Sequence, residues 1–537
     1  MARAVLREGG IDDRLEWTQN QGHFRHSDGA ISSMPKTAPL HEIALPAPAA
    51  QATRFRWLYD ELRSAIVAGT LVAGVRLPST RSVARQHGIG RGTVVAVFEQ
   101  LVAEGYLESI VGSGTFVSGM RDAARDPKRG VPREERSRAG LSSRGRLIAK
   151  NPFPPLFTSR TAPVFRLGQP AVDAFPARLW SRIAARRLRR LDPTLLTYMD
   201  PRGWRPLRAE IAAHLGAARG IRCAPEEIII TSGTQQSLDL IARVVLDPGD
   251  RVLMEDPGYP AATALFRAAG AEVVGVPVDE AGLTGEPRLP VKLAYVTPGC
   301  QFPLGVTLSL PRRQRLLEWA RRANAWVIED DYDGEFRFSG RPLAALRSLD
   351  TSGCVIYMNS FNKSVFPTLR LGFVLVPAPL YAAVLAARTA LDRHPPALDQ
   401  AILCDFISGG HLSRHLRRMR EVCAERIDLL SRRVAAELDG MMTLAPTHLG
   451  LHAVGWLPEE WSDEQAARLA AEHEVDSVAL SRFAIARSVP PALVLGVAVG
   501  DAQAIRRGVT RMATALRKLR RDHACFSATS ASHSSVR

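Results

Sequence analysis

From about residue 165 onward, short apolar runs alternate with stretches of helical periodicity, and this alternation constrains the fold of the 537-residue chain more than any other feature. The apolar runs are EEIIITSG, RVLMED, LAYVTP, AWVIEDD, CVIYMNS and RLGFVLVP; the helical stretches include TQQSLDLIARVVL and PRRQRLLEWARRA. Strands that alternate with helices predict a mainly parallel sheet covered by helices, which is the α/β class. In such sheets ligands bind beyond the carboxyl ends of the strands.

Polar residues follow three of the predicted strands at the points where these strands end. Ser232-Gly233-Thr234 follows one strand and opens a helix, Asp330 closes another, and Lys363 follows a third. A glycine turn at a helix N-terminus presents backbone N–H groups to a phosphate, a strand-end carboxylate can keep a ring nitrogen protonated, and a lysine can form a Schiff base with an aldehyde. Together these residues predict a site for pyridoxal 5′-phosphate (PLP), whose ring acts as an electron sink.

A separate unit is predicted over residues 51–120. Apolar residues recur at helical spacing in RWLYDELRSAIVAG, and Ser79 is the predicted N-cap of a second, short helix. A third helix follows the turn at Gly88–Gly90, and GYLESIVGSGTFVSG alternates around a Gly-Ser-Gly turn as a β-hairpin does. Three short helices followed by a hairpin predict a winged helix-turn-helix.

The segment LPSTRSVARQHGIGRGTVVAVFEQLVAEGYLESIVGSGTFV resembles the DNA-binding domain of the GntR family of bacterial regulators. In that family the second helix, the start of the third helix and the wing contact a double-stranded DNA operator. Gly90 and Gly92 stand where the family usually has side chains that form hydrogen bonds, which weakens the expected base contacts more than the phosphate contacts. The resemblance implies DNA contacts or wing-shaping roles for five residues: Arg81, Arg91, Thr93, Gly112 and Gly114.

Residues from about 165 to 520 resemble a fold-type I PLP-dependent aminotransferase domain, with a mainly parallel sheet and a smaller C-terminal subdomain. The segments YMDPRGWRPLR, TSGTQQSLDL, EDPGYP, WVIEDDYDGEFRF, SFNKSVFPTLRLGF and HLRRMR are similar to the version that is fused to GntR-type helices, the MocR subfamily of regulators. Because that family forms dimers with shared sites, the resemblance also implies a homodimer.

The same resemblance assigns roles around the cofactor. Lys363 would carry it as a Schiff base, and Asp330 would pair with the pyridine nitrogen. Tyr332 would form a hydrogen bond to the phenolic oxygen, Tyr259 would stack on the ring, and Tyr198 would reach the neighbouring subunit's cofactor. Four residues would hold the phosphate: Gly233, Thr234, Ser360 and Arg370.

Three positions depart from the aminotransferase pattern. The loop PGCQFP (298–303) replaces one that often contains Ser-His, so a side-chain contact near the ring is expected to be missing. Asn362 stands beside the lysine where a serine is usual. Aminotransferases place an arginine for the substrate's α-carboxylate in the last strand, whereas Leu493 to Gly500 contains no charged residue; Arg482 and Arg487 are nearby in sequence.

Composition and charge narrow the class of protein. An apolar content of 46% is too high for a collagen-like or disordered chain, and six scattered cysteines without a CxxC pair argue against a disulfide scaffold or a zinc site. The net charge of +16 favours an anionic partner, with nucleic acid first.

The remaining segments complete the predicted organisation. Residues 1–50 are predicted to be a loose tail, 121–160 a basic linker containing Pro, Gly and Ser, 161–525 the aminotransferase-like domain, and 526–537 a C-terminal tail. We find neither an export signal nor a run of about 20 apolar residues. The expected location is therefore cytoplasmic, with the protein on the nucleoid when it is bound to DNA.

The sequence leaves two functions open. In the first, the chain is a transcription regulator whose PLP domain senses a small amine, an amino acid or PLP through Lys363. In the second, it is an active aminotransferase with a DNA-binding appendage, and weak transaminase activity is compatible with both. The complete DNA-binding unit, the basic charge and the uncharged last strand favour the regulator. A third alternative, a domain that has lost PLP and only dimerises, conflicts with the intact set Lys363, Asp330, Tyr332 and Arg370.

Overall fold

The computed structural model describes residues 43–46, 53–119, 140–151, 164–287, 289–338 and 344–534, and of residues 524–534 only the backbone. The chain forms two compact units, Met1–Arg138 and Ala139–Arg537, and the division falls inside the predicted linker. Most of the predicted tail 1–50 and of the linker 121–160 lies outside the described residues.

The N-terminal unit is the predicted winged helix-turn-helix. The oxygen of Ser79 accepts a hydrogen bond from the backbone N–H of Ser82 at 3.1 Å and so starts the second helix, which ends at Gly88 in the left-handed region. A buried core that includes Leu58, Val83 and Phe98 joins the three helices. The elements are α1 (Arg54–Ala68), α2 (Thr80–His87), α3 (Arg91–Ala103), β1 (Leu107–Ile110) and β2 (Gly114–Val117).

The C-terminal unit is built on an eight-stranded sheet with the order β3-β10-β9-β8-β7-β4-β5-β6. The strands β4, β5, β7, β8 and β9 are parallel to their neighbours in this group, whereas β10 is antiparallel to both β9 and β3. The strands are β3 (Ile228–Thr231), β4 (Arg251–Asp256), β5 (Glu272–Asp279), β6 (Gly282–Leu283), β7 (Leu293–Val296), β8 (Trp326–Asp330), β9 (Val355–Ser360) and β10 (Gly372–Leu375).

The mainly parallel sheet was predicted, and all six quoted apolar runs are strands of it. Most of these strands are buried along nearly their whole length, as expected for a sheet covered on both faces. The strand β5 was not among the predicted ones, because its sequence EVVGVPVD mixes apolar residues with glycine, proline and charge.

Helices cover this sheet, and the last helix continues to Ser534. The last helix extends into residues 526–537, for which a tail was predicted. The helices are α4 (Ser143–Lys150), α5 (Ala177–Arg189), α6 (Arg205–Arg219), α7 (Thr234–Val245), α8 (Pro260–Ala268), α9 (Leu310–Ala323), α10 (Leu346–Leu349), α11 (Phe361–Ser364), α12 (Ala378–Asp392), α13 (Ala397–Ser408), α14 (His411–Glu437), α15 (Asp463–Glu472) and α16 (Ala502–Ser534). Within the described ranges, none of the helices combines the length and apolar character needed to cross a bilayer.

A second, four-stranded antiparallel sheet forms the smaller C-terminal subdomain, with the order β11-β12-β14-β13. Its outer face packs against α14, α15 and α16 in an apolar core that includes Leu493 and Leu495. The strands are β11 (Thr443–Leu444), β12 (His452–Trp456), β13 (Val478–Ala479) and β14 (Ala492–Gly496).

Candidate cofactor pocket and DNA-binding surface

The carboxyl ends of β3, β8 and β9 lie at one edge of the large sheet. The strands β8 and β9 are parallel, and β3 runs in the same direction as β9 because both are antiparallel to β10. This direction places the turn after Thr231, the side chain of Asp330 and the segment that begins at Ser360 at the same edge. The expected convergence of strand-end residues is therefore realised.

Gly233 lies at the centre of a small polar cradle. Its φ is +108°, and a Cβ atom there would lie 3.2 Å from Asn362 Nδ2, 3.5 Å from Ser360 Oγ and 3.8 Å from Arg370 Nη1. Thr234 follows as the first residue of α7. The four residues predicted to hold a phosphate thus lie together, and Asn362 joins them. The space that a side chain would fill is bounded by donors, which suits an anion at a helix N-terminus.

Asp330 is buried at the end of β8, with 3% of its surface exposed. Its Oδ2 accepts a hydrogen bond of 2.8 Å from the hydroxyl of Tyr295, whereas Oδ1 has no partner among the described residues. Burial raises the pKa of Asp330 to about 7, and the hydrogen bond from Tyr295 acts in the opposite direction. An unpaired buried carboxylate oxygen is costly, so this atom suits a proton donor supplied by a bound group.

Lys363 lies in the one-turn helix α11, and its Nζ donates a hydrogen bond to the carbonyl of Gly168. Burial lowers the pKa of Lys363, while the negative charges of Asp333 and Asp330 oppose that effect. A lysine with a lowered pKa is more often the neutral amine, which is the nucleophilic form.

Aromatic rings surround the loop 298–303, and Phe302 is at their centre. Its ring makes edge contacts with Tyr259 at 5.6 Å and Tyr332 at 5.9 Å between centroids, and with His452 and Phe483 at 5.4 Å each. Such edge-to-face geometry fixes ring orientation as well as burying apolar area.

The two predicted tyrosines lie beside this loop. Burial and the charge of Asp330 raise the pKa of Tyr259, and the charge of Arg370 partly opposes this increase. Tyr259 is therefore close enough to interact with Asp330 on one side of the pocket and with Arg370 on the other. The hydroxyl of Tyr332 donates to Cys300 Sγ at 3.7 Å. The loop that departs from the aminotransferase pattern therefore contributes Cys300 and Phe302 to the pocket.

Tyr198 is not brought to the other predicted residues by any described contact of this chain. Its side chain is 77% exposed, and its ring contacts are with Arg393, whose guanidinium carbon lies 4.3 Å from the ring centroid, and with His394. A role toward a neighbouring subunit stays a prediction.

The residues predicted to contact DNA lie on the N-terminal unit. Arg81 in the first turn of α2 and Arg91 at the start of α3 are exposed, and Thr93 is half-buried. In the hairpin loop Gly112 and Gly114 have φ of +81° and +113°.

The wing itself has two features that the sequence prediction did not include. Val111 is fully exposed at its tip. Arg76 contributes a third strand segment by bridging to Phe116, and its Nε would lie 2.8 Å from a Cβ on Gly114.

Sequence reasoning also missed several pocket residues. A tyrosine inside the apolar strand LAYV was a usable signal for Tyr295, because a buried hydroxyl requires a partner. We find no comparable signal for the carbonyl of Gly168, which is 195 residues from Lys363.

Comparisons with known proteins agree with this geometry. Residues 171–512 match the family "Aminotransferase class I and II", and residues 56–117 match "Bacterial regulatory proteins, gntR family". Among curated relatives, a probable rhizopine catabolism regulatory protein MocR of Rhizobium meliloti is 40% identical, over 86% of this chain and 93% of that protein. The HTH-type transcriptional regulator TauR of Rhodobacter capsulatus is 33% identical, over 88% and 98%. The chain belongs to the MocR-type regulators of the GntR family.

Solved structures give the relation of this MocR-type regulator to enzymes. LysN, an α-aminoadipate aminotransferase of Thermus thermophilus complexed with N-(5′-phosphopyridoxyl)-L-leucine, is 31% identical with a TM-score of 0.61, over 71% of this chain and 95% of that one. The predicted fold class and the predicted cofactor class are thereby confirmed for the family. The chain is a DNA-binding transcription regulator with an aminotransferase-like domain, and the relatives favour this function over an active aminotransferase with a DNA-binding appendage.

Proposed function

We propose that this regulator holds PLP at Lys363 and alters its binding to operator DNA when a small amine, an amino acid or PLP itself occupies the pocket. The observation that carries the proposal is the buried Oδ1 of Asp330, which has no partner among the described residues and lies at the same sheet edge as the Gly233 cradle and Lys363. A buried acceptor, a cradle of donors and a half-buried lysine are what PLP needs from a protein.

Different residues of the pocket would bind the phosphate, the ring and the phenolic oxygen of PLP. Gly233, Thr234, Ser360 and Arg370 would hold the phosphate, and Asn362 adds an amide to that cradle. Tyr259 would stack on the ring, and Tyr332, whose hydroxyl now donates to Cys300, would turn to the phenolic oxygen. When bound, PLP supplies an aldehyde that reacts reversibly with primary amines, either that of Lys363 or that of a ligand.

Two hydrogen bonds orient Asp330 and Lys363 for these roles. The hydroxyl of Tyr295 fixes one oxygen of Asp330, so the other oxygen is left for a ring N–H. The raised pKa of this carboxyl would fall again beside a positive ring, because an opposite charge favours the ionised form. The carbonyl of Gly168 orients the amino group of Lys363.

DNA recognition belongs to the N-terminal unit. Arg81 and Arg91, both exposed, would contact the phosphate backbone and base edges, Thr93 would add a hydroxyl, and Gly112 and Gly114 would shape the wing. We further propose a homodimer in which Tyr198 reaches the partner's pocket, since its ring is exposed, and a cytoplasmic protein that is on the nucleoid when bound to its operator.

The experiment that tests this proposal follows ligand binding in the C-terminal unit and DNA binding by the N-terminal unit in the same titration. The protein is reconstituted with PLP and titrated with a panel of amines and amino acids, while fluorescence anisotropy follows its binding to DNA from its own promoter region. We expect at least one ligand to change both the visible absorbance and the DNA affinity, the latter about fivefold or more. Multiple-turnover amino transfer without any change in DNA binding would instead support the aminotransferase alternative.

A further inference from the structure

One face of the small C-terminal sheet borders the pocket. Side chains alternate between faces along a strand, and the register pairs Val454 with Val494 and His452 with Gly496. The side chains of His452, Val454, Ala492 and Val494 therefore share one face, and the ring of His452 contacts Phe302. This face is opposite to the one that packs on α14, α15 and α16.

The pocket-side face is apolar along its length. Val454, Ala492 and Val494 form one buried cluster with Leu480 and Phe483, and Phe302 and Leu167 pack against it. Val494 itself has no exposed surface. We call Phe302, Val454, Phe483, Ala492 and Val494 the apolar wall. Through Phe302, which also contacts Tyr259 and Tyr332, this wall is continuous with the proposed cofactor site.

The negative charges of Asp333 and Asp330 act on Lys363, and Lys363 in turn acts on His452. Asp330 and Asp333 are buried and each has an oxygen without a partner among the described residues. Burial lowers the pKa of His452 to about 4, and its Nε2 lies 2.9 Å from the carbonyl oxygen of Pro303. The ring is therefore neutral at pH 7, and this side of the pocket offers negative rather than positive charge.

Four of the nearby arginines are engaged elsewhere or face water. Arg370 belongs to the Gly233 cradle, and Arg166 binds Asp476 at 2.9 Å. The side chain of Arg482 is 63% exposed, and Arg487 is exposed as well. Arg337 is half-buried and acts electrostatically on the thiol of Cys300, so it is a further cation to consider on this side.

A ligand carboxylate placed against the apolar wall would lose its water and gain neighbours that are apolar or acidic. Burial of an unpaired charge is strongly unfavourable, whereas the apolar body of an amine incurs no such penalty. We propose that the ligand of this pocket is a primary amine without an α-carboxylate, and that the apolar wall, which meets the pocket at Phe302 and includes the fully buried Val494, determines this specificity. The inference rests on the proposed function, because it assumes that PLP is bound at Lys363.

The test compares matched ligand pairs on the full-length protein reconstituted with PLP. Phenethylamine is titrated against L-phenylalanine, and tyramine against L-tyrosine, with the visible absorbance and isothermal titration calorimetry as readouts. We expect each amine to bind about tenfold or more tightly than its amino acid. Equal or tighter binding of the amino acids would overturn the inference, and Arg337 would then be the first candidate for their carboxylate.

A variant pair locates the effect at the wall. Val494→Arg places a cation on the pocket-side face and is expected to improve L-phenylalanine binding about tenfold relative to phenethylamine, since a charge-assisted contact becomes available. Val494→Leu keeps the wall apolar and should keep the preference for the amine. An Arg variant that folds and binds PLP yet retains that preference would remove Val494 as a determinant; if it does not fold, the ligand pairs on the natural chain still decide.

The absorbance titration distinguishes a failure of the proposed function from a failure of the inference about ligand class. If the natural protein acquires no visible band with PLP, the proposed function fails and this inference with it. If the band forms but responds equally to both members of a pair, or to neither, only the inference about ligand class fails.

Discussion

The functional side chains of the two units differ in their exposure to water. Arg81 and Arg91 of the N-terminal unit are exposed on helices whose core is made of other residues. Asp330 of the C-terminal unit is buried and Lys363 is half-buried, and their pKa values are shifted in opposite directions from the usual ones. Because of this difference, substitution of a DNA-contact residue should weaken DNA binding alone, whereas substitution of a pocket residue should also change the stability of the unit or its pH dependence.

The largest expected effect is in the pocket. Lys363→Ala should abolish the Schiff-base absorbance band of the reconstituted protein completely, because the amine that forms the Schiff base is gone. The circular dichroism spectrum should be unchanged, since truncation of a half-buried side chain in the one-turn helix α11 leaves the other helices and strands in place. Lys518→Ala, at an exposed lysine that pairs with Glu472, is the control and should keep the band. A spectrum that survives Lys363→Ala would refute the assignment.

On the exposed side of the comparison, Arg91→Ala should weaken operator binding by about 1–3 kcal/mol and lower the slope of log affinity against log salt by about one if the contact is to a phosphate. Thermal stability should not change, because the side chain is exposed. Arg56→Ala is the matched control: it removes an exposed arginine of α1 that pairs with Asp60. Normal operator affinity in Arg91→Ala would contradict its place at the interface.

Asp330→Asn should change how the stability of the C-terminal unit depends on pH. The pKa of this carboxyl is about 7 in the folded chain and 3.8 as the ordinary value, so its favourable contribution is complete below pH 4 and is lost as the pH rises through 7. The amide has no such dependence. In cofactor-free protein, the stability of the variant relative to the natural chain should therefore rise between pH 4 and pH 8.

Thermal unfolding across that pH range checks this expectation, and Asp239→Asn, at an exposed aspartate paired with Arg243, serves as the control. Each pKa unit corresponds to about 1.4 kcal/mol, so the rise should amount to several degrees. A difference that does not vary with pH would mean that Asp330 is not held in its protonated form by burial.

The sequence predicted what depends on local pattern. Apolar runs and strand ends were sufficient to place Asp330, Ser360 and Lys363 at one sheet edge, because parallel strands align their carboxyl ends. Contacts between distant segments could not be predicted in this way. Tyr295 and Asp330 are 35 residues apart, and the face that Val494 presents depends on a register with β12 that periodicity alone does not give.

Two glycines of the wing should differ slightly in how much their replacement by alanine destabilises the hairpin. Gly112 and Gly114 both have positive φ, so alanine at either position should cost about 1 kcal/mol. At Gly112 the new Cβ would meet nothing within 4 Å, whereas at Gly114 it would lie 2.8 Å from Arg76 Nε and displace that side chain. Gly114→Ala should therefore loosen the hairpin more than Gly112→Ala.

Hydrogen exchange of the β1 and β2 amides measures this difference directly, because it reports local opening in a chain of two units. We expect faster exchange in Gly114→Ala than in Gly112→Ala, and a smaller loss of operator affinity in both than in Arg91→Ala. Equal exchange in the two variants would mean that Arg76 moves aside without cost and that backbone strain alone sets the wing's stability.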